Sequence, residues 1–368
     1  MRKVYIIWAV ALLVIGLLTW SIAPAMAQDE EFQRIDKPLS PTEGDDVHSI
    51  PPGSTIHHLD NGITKVYGPG KRLILTTIES QESLIPVPMR GLVKASHVHH
   101  VPSGSRISRV ENGAKVYYGG TCILTVVNES RGNAKRPSPS SGVLMDESQP
   151  PPPTVVYDNW IEFARDSDVD DLRYFKAYWS VPEEPPDHYR YTVNFIFNAI
   201  IPRDGRDILQ PVLEWNVYQG NYEWTCAAWY GIKCEDPSDY YRGDPIDASV
   251  GDELYGHMRK YESDDKYSDD YWMIKIYNLD TRDSSILYIN QFPTGDNLKL
   301  FCTLESRYFR DDDDIPGDIV FEKMRIRDED FDPINVTWRG KTPGRYCGLT
   351  GLKVVSYVDE EVRLYTAN

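Results

Sequence analysis

Two neighbouring stretches decide the fold: Asp207-Ile208-Leu209-Gln210-Pro211-Val212-Leu213-Glu214-Trp215-Asn216-Val217, and then Tyr222-Glu223-Trp224-Thr225-Cys226-Ala227-Ala228-Trp229-Tyr230-Gly231. Each is an apolar run of strand length, and Gly and Asn punctuate the gap between them. The pattern continues outward, upstream over 190–201 and downstream over 253–260, 271–277, 285–292, 298–309 and 319–326, with 354–358 as one more strand in the tail. Many short runs with turn residues between them, and few helical periods, predict an all-β fold, an antiparallel β-sandwich. Side chains alternate faces along a strand, so Gln210 shares a face with Ile208, Val212 and Glu214. Trp224 and Trp229 fall on opposite faces, which makes Trp224 a core residue and leaves Trp229 to line a groove.

Upstream lies an internal repeat. Val47-His48-Ser49-Ile50-Pro51-Pro52-Gly53-Ser54 recurs as Val98-His99-His100-Val101-Pro102-Ser103-Gly104-Ser105, and Asn61-Gly62 recurs as Asn112-Gly113. The period of about fifty residues is in the range that marks repeated structural units. Asn-Gly between two strand-like runs is a strong hairpin signal. Residues 28–130 are therefore expected to form a small N-terminal β-hairpin repeat region with units at about 47–80 and 98–130. The Pro-rich stretch 131–153 reads as an extended linker, 154–330 as the sandwich, and 331–368 as a C-terminal extension.

The net charge of -17 argues against nucleic acid as a partner. Arg2 and Lys3, the apolar run 6–18 and Ala25-Met26-Ala27 predict a signal peptide over 1–27, hence a secreted or extracellular-surface protein, with membrane contact only if the signal stays uncleaved. The sequence sets no oligomeric state. Among the five cysteines, Cys226 and Cys234 flank a turn and can pair, Cys302 and Cys347 can pair across the domain, and Cys122 is left over. Asn128-Glu129-Ser130 and Asn335-Val336-Thr337 are glycosylation sequons. No Cys-rich pattern calls for a metal or cofactor. The run Asp311 to Asp314 reads as a solvated loop, and His48, His57, His58, His97, His99 and His100 as exposed hairpin residues rather than a metal patch or a pH sensor.

Tyr157-Asp158-Asn159-Trp160, Tyr178-Trp179-Ser180-Val181-Pro182, Ile208-Leu209-Gln210, Ala228-Trp229-Tyr230, Val250-Gly251-Asp252 and Cys302 to Glu305 stand in an order that resembles the glutamic peptidases, the eqolisin family. The first of these is similar to the family's Asn-Trp, the second to its strand ending in Thr-Val-Pro, and the third to its Ile-Leu-Gln. Cys302 to Glu305 takes the place of the strand with the catalytic glutamate. The matches span roughly residues 157–326, about half the chain. Leu304-Glu305-Ser306 stands where the family has Ala-Glu-Trp, and Asp207 where it often has a Cys.

The resemblance implies a concanavalin-like jelly roll and an exported acid endopeptidase. It needs no cofactor, takes a protein or peptide as substrate, and has Gln210 and Glu305 as its dyad, with Trp229, Tyr230 and Trp160 toward the substrate. It also makes the N-terminal region a propeptide by position. The glutamate takes a proton from a water and later returns it to the leaving amine. The glutamine amide steadies the oxyanion. Arg307, two residues beyond Glu305, shares its face and is expected to lower its pKa, or to replace catalysis with a salt bridge. The competing reading is a non-catalytic β-sandwich binding carbohydrate or peptide at the cell surface, a use suited to 24 tyrosines and 9 tryptophans.

Overall fold

The computed structural model describes residues 49–59, 62–78, 84–89, 91–128, 160–205, 207–217, 220–232, 239–262, 270–292, 297–341, 353–357 and 361–366. The expected signal peptide, the linker 131–153, Asn159, Cys234 and Cys347 lie outside the described residues.

The N-terminal strands are β1 (Ser54–His58), β2 (Ile63–Tyr67), β3 (Leu73–Ile78), β4 (Leu84–Val87), β5 (Gly91–Lys94), β6 (Val98–Val101), β7 (Ser105–Val110), β8 (Gly113–Tyr118) and β9 (Thr121–Asn128). There follow β10 (Trp160–Val169), β11 (Leu172–Ser180), β12 (Val193–Ile201), β13 (Asp207–Trp215), β14 (Trp224–Ile232), β15 (Asp239–Gly243) and β16 (Ile246–Ala248). The rest are β17 (Glu253–Tyr261), β18 (Tyr271–Asn278), β19 (Ser284–Asn290), β20 (Leu298–Arg307), β21 (Ile319–Asp328), β22 (Arg339–Lys341), β23 (Lys353–Tyr357) and β24 (Glu361–Tyr365). Among the described residues no helix is long and apolar enough to cross a membrane.

The expected β-sandwich is what forms. The first sheet has 13 strands, ordered β23-β24-β21-β11-β17-β18-β19-β7-β8-β9-β1-β2-β3. The second has 9, ordered β22-β10-β20-β12-β13-β14-β15-β6 with β16 beside β14. Between the sheets, Phe175, Trp179, Trp272 and Ile274 of the first pack with Ile196, Leu209, Leu213 and Leu304 of the second. Gly256 of β17 is needed at this contact. A side chain there would meet the Asn198 and Pro211 side chains at 2.2 and 2.6 Å, so these fill the space over the Gly256 backbone just beside Gln210.

The two repeat units are three-stranded meanders, β1-β2-β3 and β7-β8-β9. Both are continuous with the sandwich. β6 runs parallel to β15 at the edge of the second sheet, and β7 runs parallel to β19 in the first. The short Pro102-Ser103-Gly104 corner thus carries the chain from one sheet to the other. β1 runs parallel to β9 in the same manner. Among the described residues these three joints are the parallel exceptions to an otherwise antiparallel pairing, and they cover edges that would otherwise offer unpaired backbone groups.

The expected cysteine pairings do not appear: Cys226 and Cys302 are free, buried thiols. Both point into the packed core between the sheets, Cys302 with its sulfur 3.8 Å from Met324 Sδ. The Asp311–Asp314 run is not wholly solvated either. Asp314 is buried and bound to Arg310 (Nη2 to Oδ1, 2.8 Å).

Candidate active site

Burial of β12 and β13 on both faces makes the outer face of the second sheet unusual. Phe195, Phe197, Ile208, Val212, Trp229 and Phe301 lie on that face, with Val87 of the β4–β5 hairpin packed on them and Ile85, Met89 and Val93 at its margin. The hairpin therefore lies across the face to which Gln210, Glu305 and Trp229 belong.

Glu305 is fully buried beneath it. One carboxylate oxygen accepts the Met89 backbone N–H at 2.7 Å. The other is bound by Arg307, whose Nη2 also donates to the Val87 carbonyl at 3.2 Å. Trp160, paired with Glu305 across β10 and β20, adds a side-chain hydrogen bond and packs edge-on against Phe301 at 4.8 Å. Met89 holds a φ of 72°, a left-handed conformation that costs a side-chain residue about 1 kcal/mol or more and that persists here where its N–H meets the carboxylate. Arg307 on the same face predicts a lowered pKa for Glu305. Burial outweighs it: the carboxyl is raised above its ordinary value despite Arg307, the Met89 N–H and Trp160.

Gln210 does not stand beside Glu305. Pro211 has no N–H, and the β12–β13 pairing is interrupted between Phe197–Val212 and Ile200–Leu209. The register is the same on both sides of this gap, so Gln210 is level with Ala199 and, across it, with Phe301. Glu305 faces Phe195, and Phe195 faces Glu214. Gln210 is thus displaced four residues, about 13 Å, along the strand direction from the level of Glu305. It is buried, and its Nε2 finds no hydrogen-bond partner.

The residue at the level of Glu305 is Glu214, which shares a face with Gln210 but was given no role in the sequence reading. Glu214 is fully buried and closely held. Arg242 reaches it with Nε at 3.0 Å and Nη2 at 2.5 Å, Thr225 Oγ1 donates at 2.9 Å, and Trp229 Nε1 donates to the same carboxylate. Trp229 is accordingly a buried hydrogen-bond donor on the outer face, only 1% exposed. Tyr230 cannot line that face. As the next residue it points the other way, into the core between the sheets, where it stacks on Tyr241 at 6.3 Å.

A second polar cluster corrects the reading of the histidines. His58, His97 and His99 are buried, and all three surround Asp239 of β15. The sequence signal for this was the spacing of His97 and His99, which lets both side chains turn to one side. Nothing local pointed to Asp239.

No family model and no curated protein matches the chain. Solved structures similar to it include Scytalido-glutamic peptidase with a peptide-based transition-state analogue, at 14% identity and a TM-score of 0.38 over 57% of this chain and 98% of that one. SCP-B, a member of the eqolisin family in complex with the tripeptide Ala-Ile-His, aligns at 13% identity and a TM-score of 0.37 over the same shares. An alginate lyase from Klebsiella pneumoniae aligns at 7% and 0.28 over 43% of this chain and 60% of that one. At these values the likeness says nothing of activity.

Proposed function

We propose that this chain is an exported acid endopeptidase of glutamic-peptidase type, held latent by its own residues 84–94. The observation that carries this is peptide backbone lying on the candidate base: the Met89 N–H on Glu305 and the Val87 carbonyl on Arg307. A substrate strand would present the same N–H and C=O groups to the same two side chains. With the hairpin displaced, Glu305 regains solvent and acts as base toward a water, then as acid toward the leaving amine. Gln210 is the amide that the family resemblance assigns to the oxyanion, whereas Glu214 with Arg242 is the group at the level of Glu305. A guanidinium there is itself able to hold a developing oxyanion.

A second reading is a non-catalytic peptide- or carbohydrate-binding sandwich. It is favoured by the guanidinium lock on both carboxylates and by the displacement of Gln210. It also suits the tyrosine row on the outer side of the first sheet, Tyr178–Tyr255 at 5.5 Å and Tyr255–Tyr277 at 5.2 Å.

One assay separates the two. Hydrolysis of an unfolded protein substrate is followed from pH 2 to 8 for the full chain, for Val87→Asp/Met89→Asp, and for that variant with Glu305→Gln added. Polar aspartates at Val87 and Met89, which sit in the apolar contact, disfavour packing of the hairpin on the sheet. Latent peptidase predicts acid cleavage that rises in the hairpin variant and vanishes with Glu305→Gln. No cleavage by any folded preparation leaves the binding reading.

A further inference from the structure

We propose that His58, His99 and Asp239 hold a divalent transition-metal ion of the zinc class, and that this ion fastens the N-terminal repeat to the second sheet. The three residues come from the end of β1, from β6 and from β15, so the sequence brings them together only through the parallel joints. None is more than 5% exposed.

The geometry is that of a coordination shell. Asp239 Oδ1 lies 3.1 Å from His97 Nδ1, 3.2 Å from His99 Nε2 and 3.5 Å from His58 Nε2. Donor atoms of His58, His99 and Asp239 all fall within 4.8 Å of one another. Tetrahedral zinc with bonds of about 2.0–2.1 Å places its ligand atoms about 3.3 Å apart, which these separations bracket.

Hydrogen bonding among the residues alone does not account for the arrangement. His58 Nδ1 lies 2.9 Å from Thr64 Oγ1, and the Thr64 hydroxyl is directed at Ser96 Oγ, 3.4 Å away. The Thr64 oxygen therefore accepts from Nδ1–H, which leaves Nε2 of a neutral His58 as a bare lone pair. That nitrogen is buried, without a hydrogen-bond partner, and faces a carboxylate oxygen. Two lone pairs face each other favourably only with a cation between them.

The outer contacts also fit. Asn128 Nδ2 donates to the other Asp239 oxygen at 2.7 Å, and Thr64 orients His58 through the nitrogen that would not bind metal. Two imidazoles and one carboxylate suit zinc or cobalt(II) better than calcium or magnesium. Three protein donors leave the fourth tetrahedral position to a water, and the burial of all three keeps bulk solvent from it.

The test uses the full chain, stripped with a chelator and titrated with Zn2+ and with Co2+. The expected result is one tightly held ion per chain, tetrahedral ligand-field bands with Co2+, and a rise in melting temperature on adding Zn2+. His99→Asn and Asp239→Asn lose all three. Thr64→Val retains binding with a Kd raised roughly 10–100-fold, as expected for an outer contact. His57→Asn, whose ring packs on Tyr67 outside the cluster, binds as wild type. The proposal fails if folded, stripped wild-type chain takes up no stoichiometric ion, or if the Co2+ spectrum is that of hexa-aqua ion. It also fails if His99→Asn binds as tightly as wild type. Should His99→Asn not fold, the wild-type stoichiometry and spectrum decide alone.

Discussion

Glu305 and Glu214 flank Phe195 on one face of one sheet, both fully buried and both bound to an arginine. Their surroundings differ in origin. Glu214 is held by Arg242, Thr225 and Trp229, all from the strands that follow it directly in the second sheet. Glu305 has Arg307 from its own strand and Trp160 from the neighbouring one, but it owes the Met89 N–H to a hairpin laid on from outside the sheet. One carboxylate is built in and the other is covered over. A pair that stays closed when a hairpin lifts is a structural element, and a pair that opens is a candidate for chemistry.

The largest test of this contrast is Arg242→Leu, which strips the buried Glu214 side chain of its guanidinium partner. It should cost about 3–5 kcal/mol in denaturant unfolding, with little dependence on the hairpin. Arg307→Leu should cost less, about 2 kcal/mol near neutral pH, because Glu305 can escape by taking up a proton. Its folded carboxyl is already raised above 4.5, so the folded state binds protons more readily than the unfolded one. Stability from this group is present at low pH and lost as the pH climbs through the folded value. The Arg307→Leu penalty should therefore shrink toward pH 4, and a penalty that grows on acidification would undo the contrast.

Glu162 sharpens the comparison as a buried carboxyl with an acid neighbour. Burial, then Asp318, push it up to about 8 from an ordinary 4.5. The folded state keeps the proton between those values, so stability falls from pH 4.5 to about 8. Glu162→Gln should match wild type at pH 4 and exceed it at pH 8 by on the order of 2 kcal/mol, read from unfolding midpoints at both pH values. The smallest effect belongs to the exposed pair of Lys260 and Glu329, 2.6 Å apart. Lys260→Gln should leave the melting temperature unchanged, since solvent screens such pairs.

The sequence carried the strands of the sandwich well wherever periodicity is local. The runs 207–217, 222–231 and 298–309 correspond to Asp207–Trp215, Trp224–Ile232 and Leu298–Arg307. It did not carry pairing. The level of Gln210 against Glu305 depends on which residues of β12 lie between them, and a motif quoted from one strand holds no information on that register. The same limit hid the histidine cluster. Each histidine is an unremarkable strand or turn residue until two parallel joints draw β1 and β6 toward β15. The hairpin over Glu305 was invisible for a different reason: Ile85, Val87 and Val93 read as any apolar pair of strands, and nothing in them names the surface they cover.

The parallel joint has one further consequence. β7 adds to β19 just as β1 adds to β9, so the second unit receives the first by the same device with which the sandwich receives the second. A structure that renews its own point of attachment can lengthen by gene duplication without inventing a new contact. The width of the first sheet is in this sense a copy number, and among the described residues its edge lies at β3, where Leu73 and Ile74 are about half exposed.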